Sequence, residues 1–259
     1  MLYLLKCHPF AVSAHFSHSL VLTYALPAQV LRPLLPPGLE LDCYENFGFV
    51  AIALVQTRGL KPAFLPHALR QNFFLSGYRI FSRFPTTTGA SRKPTTLRGL
   101  KILRSDTDKP LMALAGNFLT HYNYRLAKVD FRADMDNLKI SVETPNAEAD
   151  LQVCADLKCQ PAPLPGGSPF PDLETAKHFA GPLPFTFDFE KETNSIIVIK
   201  GVRKQWNPQP VSVEVSRCTF FERAEFRGVT PILANAFHVQ NIDYRWERGR
   251  RVALGVLPT

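Results

Sequence analysis

HSLVLTYALPAQVLRPLLPPGLELD, residues 18–42, carries two periods back to back, and reading them decides the fold. Residues 19–26 are a run of β-branched, aromatic and leucine side chains of strand length. From Pro27 the spacing changes: Val30, Leu31, Leu34 and Leu35 fall on one face of a short helix over 27–40, which Pro36, Pro37 and Gly38 end. A strand followed by a short covering helix is the pattern of a sheet protein.

Working outward, FVAIALVQTRGL at 49–60, FFLSGYRIFSRF at 73–84 and LRGLKILRS at 97–105 read as strands. Further strands are expected at 111–120, 127–133, 137–143, 149–155, 184–189, 195–202, 211–218 and 237–246. A second helix is predicted over 171–181, capped by Asp172, acidic in its first turn and ended by Gly181. The fold class is therefore mainly β with a few short helices. QPAPLPGGSPFP, 160–171, holds five prolines and two glycines. The strands on either side of it are alike, so it is expected to be a Pro/Gly-rich loop inside one β domain spanning 1–259.

Composition narrows the partners. The chain has 259 residues, 46% of them hydrophobic and 20% charged, which excludes a disordered protein. Thirty Lys and Arg against 22 Asp and Glu give a net charge of +8, a sign that favours anionic partners. The basic residues are dispersed, and the densest group, RWERGRR at 245–251, is interrupted by Glu247. Nucleic acid is accordingly not expected as a partner. Five scattered cysteines imply reduced thiols rather than a disulfide framework, and Cys154 and Cys159 lack the second pair of a zinc site. No apolar run reaches membrane-spanning length and no basic segment precedes the apolar N-terminus, so a soluble cytoplasmic protein is expected. Open strand edges leave a homo-oligomer as an expectation.

Common catalytic signatures are missing: no glycine-rich phosphate loop, no G-x-S-x-G elbow and no H-E-x-x-H. His15 and His18 are three apart and point to opposite faces of an extended segment, so no metal is expected. RADMDNLK at 132–139 lacks the glycine and closing glutamate of a calcium loop, and its Asp136-Asn137 suits a hairpin turn.

The unusual chemistry lies in LRGLKILRSDTDKPLMALAGNFLTHYNYR, 97–125. Alternation groups Arg98, Leu100, Ile102 and Arg104 on one face of a first strand, and Leu97, Gly99, Lys101 and Leu103 on the other. SDTDKP then turns the chain, and the whole reads as a hairpin. Past Gly116 the same period sets Phe118, Thr120, Tyr122 and Tyr124 on one side and Asn117, Leu119, His121, Asn123 and Arg125 on the other. An unpaired buried donor or acceptor costs about 1–3 kcal/mol. These groups must therefore meet solvent, one another or a ligand; tyrosine rings packed with their hydroxyls at the surface are the ordinary alternative.

The 18–42 stretch, the YRIF strand and the glycine-led hairpin from 99 to 125 together resemble the DUF2071 proteins, whose fold is similar to that of acetoacetate decarboxylase. The resemblance covers about 1–250, and P-A-x-x-L-x-x-L-L-P-P-G-L-E is its most specific part. It implies one domain built on a large, curved antiparallel β-barrel or cone with a central pocket. In the decarboxylases a G-R-E-x-x-G-x-P-K-K motif supplies a Schiff-base lysine, whose pKa a neighbouring cation lowers. Set on GNFLTHYNYR, 116–125, Gly116 keeps the glycine. Asn117 replaces the arginine, Phe118 the glutamate, Asn123 the proline and Tyr124 the Schiff-base lysine, while Arg125 retains a positive charge. A phenol forms no imine, so the resemblance implies the fold without lysine-dependent decarboxylation.

The candidate ligand-binding residues are Arg79, Arg98, Lys101, Asn117, His121, Tyr122, Tyr124 and Arg125; no catalytic residue is assigned and no cofactor is implied. Arg79, in an aromatic strand, invites a carboxylate or a stacking partner. Lys101 reads either as a lumenal lysine depressed by Arg98 or Arg104, or as an exposed strand lysine. His121 and Tyr124 suit acid–base chemistry, although a bulge is needed to bring both into one pocket. Two functions stay open. One is a β-barrel that binds a small anionic or carbonyl-bearing organic molecule, with or without acid–base turnover. The other is a non-catalytic binding or protein-interaction module whose barrel is filled by its own side chains.

Overall fold

A computed structural model of the chain describes residues 5–62, 64, 66, 70–87, 94–181, 183–204 and 206–254. The elements in order are β1 (Val12–Pro27), α1 (Ala28–Leu31), β2 (Glu40–Leu41), β3 (Phe47–Pro62), β4 (Gln71–Thr87), β5 (Pro94–Thr107), α2 (Pro110–Leu119), β6 (Tyr124–Leu126), β7 (Lys128–Ala133), β8 (Asn137–Glu143) and β9 (Leu151–Asp156). There follow α3 (Leu173–Phe179), β10 (Phe185–Glu190), β11 (Ser195–Arg203), β12 (Gln209–Pro210), β13 (Ser212–Cys218), β14 (Ile232–Trp246) and β15 (Arg250–Ala253). No helix among the described residues is long and apolar enough to cross a membrane.

Seven strands close a ring in the order β14-β1-β3-β4-β5-β10-β11 and back to β14, the last seam running through Gly201↔Trp246, Val202↔Arg245 and Arg203↔Tyr244. This is the curved, mainly β ring that the sequence implies. Its pairings are antiparallel except at β5–β10, where Gly99 leaves room for the carbonyl of Phe185 to approach closely. A second sheet, β13-β9-β8-β7, packs on the outer face of the ring.

Strands β1 and β3 are buried on both faces, which is why they read as near-continuous apolar runs. Leu20, Leu22 and Tyr24 with Val50, Ile52 and Leu54 share a core with Leu138, Ile140, Val142 and Leu151 of the second sheet. Their opposite faces, where Val21, Ala51, Ala53 and Val55 sit, point into the ring. The 27–40 prediction is realised as α1 and one 3-10 turn, Arg32–Leu34, ahead of Pro36. The 171–181 prediction is realised as α3, whose cap Asp172 accepts from the Thr175 amide at 2.6 Å.

Two expectations are corrected. Residues 110–119 form a helix, α2, where a strand over 111–120 and a hairpin were expected: Pro110 occupies the first turn, and Leu111, Met112, Ala115, Gly116 and Leu119 share one helical face. Arg104 does not share a face with Leu100 and Ile102. A bulge in β5, where Tyr78 pairs with Arg104 but Arg79 with Ile102, turns Arg104 outward.

Candidate functional site

The ring encloses a cavity of about 470 Å³. Small side chains on the inward face of β3, Ala51 and Ala53, and Ser19 on β1 leave that space, and α2 forms one wall through Met112, Ala115, Gly116 and Leu119. Phe73, Leu75 and Phe81 of β4 and Leu100 and Ile102 of β5 make most of the rest apolar.

One strong charge enters this wall. In β4 the odd positions 73, 75, 77, 79 and 81 face inward, so Arg79 follows Gly77 on the same face. The side chain lies back over the glycine: a Cβ at Gly77 would stand 3.0 Å from both Nε and one Nη of Arg79. Gly77 thus provides the notch that holds the guanidinium against the sheet. Nε is sealed and has no acceptor, and among the described residues no carboxylate pairs with Arg79. Burial pulls its pKa below the ordinary value, partly opposed by Tyr244, Tyr124 and Tyr122. An arginine nonetheless stays protonated in a protein, so the cavity contains an uncompensated cation.

The stretch GNFLTHYNYR brings two tyrosines near that cation by a division of labour. Gly116 is the residue on which the Tyr124 ring rests; a Cβ there would overlap the ring. Asn117 clamps the backbone of Tyr124 from both sides, donating through Nδ2 to its carbonyl at 2.8 Å and accepting its amide at 2.7 Å. Thr120 closes α2 by donating to the Gly116 carbonyl at 2.7 Å. Asn123 takes φ 52°, a left-handed conformation asparagine tolerates, and this turns the chain between Tyr122 and Tyr124, both of which line the cavity. Desolvation pushes the Tyr122 phenol well above its ordinary pKa and that of Tyr124 up to about 12. Both are neutral donors at physiological pH, and the Tyr122 hydroxyl has no partner.

Of the eight candidate residues, then, Arg79, Tyr122 and Tyr124 meet on the cavity, and the other five are engaged elsewhere. Arg98 donates to Asp42 at 2.7 Å and to the Phe179 carbonyl at 3.0 Å. Lys101 is absent from the cavity wall; its Nζ donates to the buried Asp188 at 2.8 Å. Asn117 is the clamp already described. His121 turns to Glu190, 3.1 Å away, and Arg125 pairs with Glu148. No lysine lines the cavity among the described residues.

Sequence reasoning missed the opposite wall. Phe16, Tyr244 and Trp246 form a cluster with centroids 4.6–5.7 Å apart. Beside it Arg203 lies over Trp206, 4.4 Å from the ring centroid, and over Tyr244 at 5.6 Å. Closure of β11 on β14 creates this group. The signal that could have found it is the alternate aromatic pair Tyr244 and Trp246, with Asp243 and Arg245 facing away.

The DUF2071 family, described as an uncharacterized conserved protein, matches residues 13–240. No curated protein matches the chain. Among solved structures the chain is similar to the enduracididine biosynthesis enzyme MppR complexed with pyruvate, at 11% identity and TM-score 0.60, covering 94% of this chain and 90% of that one. It is similar to the acetoacetate decarboxylase of Legionella pneumophila at 13% identity and TM-score 0.60, with 95% and 89% covered. A third is an acetoacetate decarboxylase-like enzyme from Sphingomonas wittichii RW1, at 11% identity and TM-score 0.59, with 94% and 93% covered. At these identities the likeness is one of fold.

Proposed function

The chain belongs to the DUF2071 family, and from that premise and the chemistry of its cavity we propose that it binds a small organic carboxylate, with Arg79 as counter-ion, and forms no Schiff base. The observation that carries the reading is a half-buried, permanently charged guanidinium on the cavity wall, its Nε sealed, with no acid beside it among the described residues. A desolvated charge is costly unless paired, and a bound anion supplies the missing partner. Neutral Tyr122 and Tyr124 are donors near the same charge, suited to a carboxylate oxygen. A fold relative described with pyruvate bound supports an acid of this general kind. An open cavity of about 470 Å³ weighs against a barrel plugged by its own side chains.

Both tryptophans of the chain, Trp206 and Trp246, line the cavity, so intrinsic fluorescence reports occupancy. Titration with benzoate, octanoate and pyruvate is expected to give a saturable change with at least one of them. Arg79→Gln should weaken that binding by about 2–5 kcal/mol, the usual effect of truncating one member of a buried charge pair. Equal binding by the primary amides, or by Arg79→Gln, refutes the reading.

A further inference from the structure

Resting on the carboxylate reading, we infer that the ligand is a monocarboxylic acid with a medium-chain apolar tail rather than a short polar acid. A carboxylate occupies only the corner beside Arg79, whereas the whole cavity, about 470 Å³, lies within the range of about 300–1,000 Å³ typical of sites for drug-sized ligands. The space beyond that corner is walled by Val55, Phe73, Leu75, Leu100, Met112 and Leu119. An apolar chain buried there removes hydrocarbon from water at no hydrogen-bonding cost, and the unbranched Met112 adapts to its shape.

The remaining wall offers no uncovered cation for a second acidic head, although His8 Nδ1, Thr57 Oγ1 and Trp206 Nε1 line it without partners. The Thr120 hydroxyl is engaged by the Gly116 carbonyl at 2.7 Å. Arg203, the other lining cation, is covered by the faces of Trp206 and Tyr244 and donates to the Tyr244 hydroxyl at 3.4 Å. Its charge is already met by two aromatic faces, unlike that of Arg79.

The test is the affinity of the full chain for butanoate, hexanoate, octanoate and decanoate, with pyruvate, decanol and decanedioate as controls, by calorimetry and tryptophan fluorescence. Burial of each added methylene is expected to tighten binding roughly fourfold, and so on the order of 10²-fold from hexanoate to decanoate. Val55→Phe, on the apolar wall two residues along β3 from the Ala53 that faces Gly77 and the Arg79 head group, should flatten that gradient. Butanoate or pyruvate binding as tightly as decanoate, an unchanged gradient in folded Val55→Phe, or decanedioate binding more tightly than decanoate overturns the tail and leaves the anion site standing. Decanol matching decanoate, with decanoate bound equally by Arg79→Gln, overturns the anion site itself.

Discussion

Two arginines on neighbouring strands, Arg104 on β5 fully buried and Arg79 on β4 half-buried, are treated by the protein in opposite ways. Arg104, 1% exposed, sits on the outer face of the ring near the second sheet. Asp106 accepts its Nε through both oxygens at 2.8 and 3.0 Å and Glu148 accepts Nη1 at 2.7 Å, which leaves one sealed Nη without an acceptor. Arg79 faces the cavity and, among the described residues, has no acid beside it. Where a buried cation belongs to the scaffold, as at Arg104, the chain supplies its counter-charges; at Arg79 it supplies none, and that contrast is the ground of the proposed carboxylate site. Burial alone therefore does not mark a functional group; a charge without a counter-charge on a cavity wall is the better pointer.

The largest effect should come from breaking the satisfied side. Arg104→Met strands Asp106, whose carboxyl burial already raises to about 6 against the pull of Arg104. Removing one partner of such a pair costs about 3–5 kcal/mol, readable as a lower urea midpoint. A loss under about 1 kcal/mol would mean that the network is not integral to the fold.

The outer face also keeps a potential cation neutral. His238 on β14 lies 3.2 Å from His18 on β1, with Phe131 of β7 near the His18 ring. Desolvation, then His18, pushes the His238 pKa down to about 4, and desolvation and Arg58 lower that of His18. A histidine depressed in the folded state binds protons more readily when unfolded. Its stability contribution is therefore full above the unfolded value of about 6.5 and falls away as the pH drops toward 4. Between pH 7.5 and 5 the expected loss from His238 is about 2 kcal/mol. His238→Gln should flatten this slope in urea denaturation; an unaltered slope places its origin in other groups.

Smaller effects belong to the cavity. Gly116→Ala forces the Tyr124 ring to move, an overpacking cost of about 1–3 kcal/mol that the better helix propensity of alanine, about 1 kcal/mol, partly offsets. The net destabilisation should be about 1 kcal/mol, with weaker carboxylate binding as the Tyr124 donor shifts. Smallest is the effect of Arg79→Met on the ligand-free protein. Removing an unpaired buried charge should change stability by less than about 1 kcal/mol, toward greater stability. A large loss instead would show that Arg79 has a structural partner and would erase the contrast with Arg104.

How much of this could be read in advance differs by element. In β3 the alternation of Ala51, Ala53 and Val55 with Val50, Ile52 and Leu54 states both the packed outer face and the space inside, because side-chain direction in a regular strand has period two. Arg79 and the tyrosine pair stood out as polar groups that apolar packing could not absorb. Helix α2 is not legible by period, because a short apolar run fits either one, although Pro110 at its start is a usable sign. Arg104 was assigned the wrong face because one extra residue in a strand reverses every side chain beyond it.

The sequence by itself determined a mainly β chain, the short α1 and α3 segments, and a tyrosine rather than a lysine at position 124, since these follow from local periods, caps and residue chemistry. Only the tertiary structure decided which charges are paired. Lys101 meets Asp188 and Arg104 meets Glu148 across 87 and 44 residues, while Arg79 meets no acid among the described residues. Ring closure sets those distances, and electrostatic pairing depends on distance in space rather than along the chain.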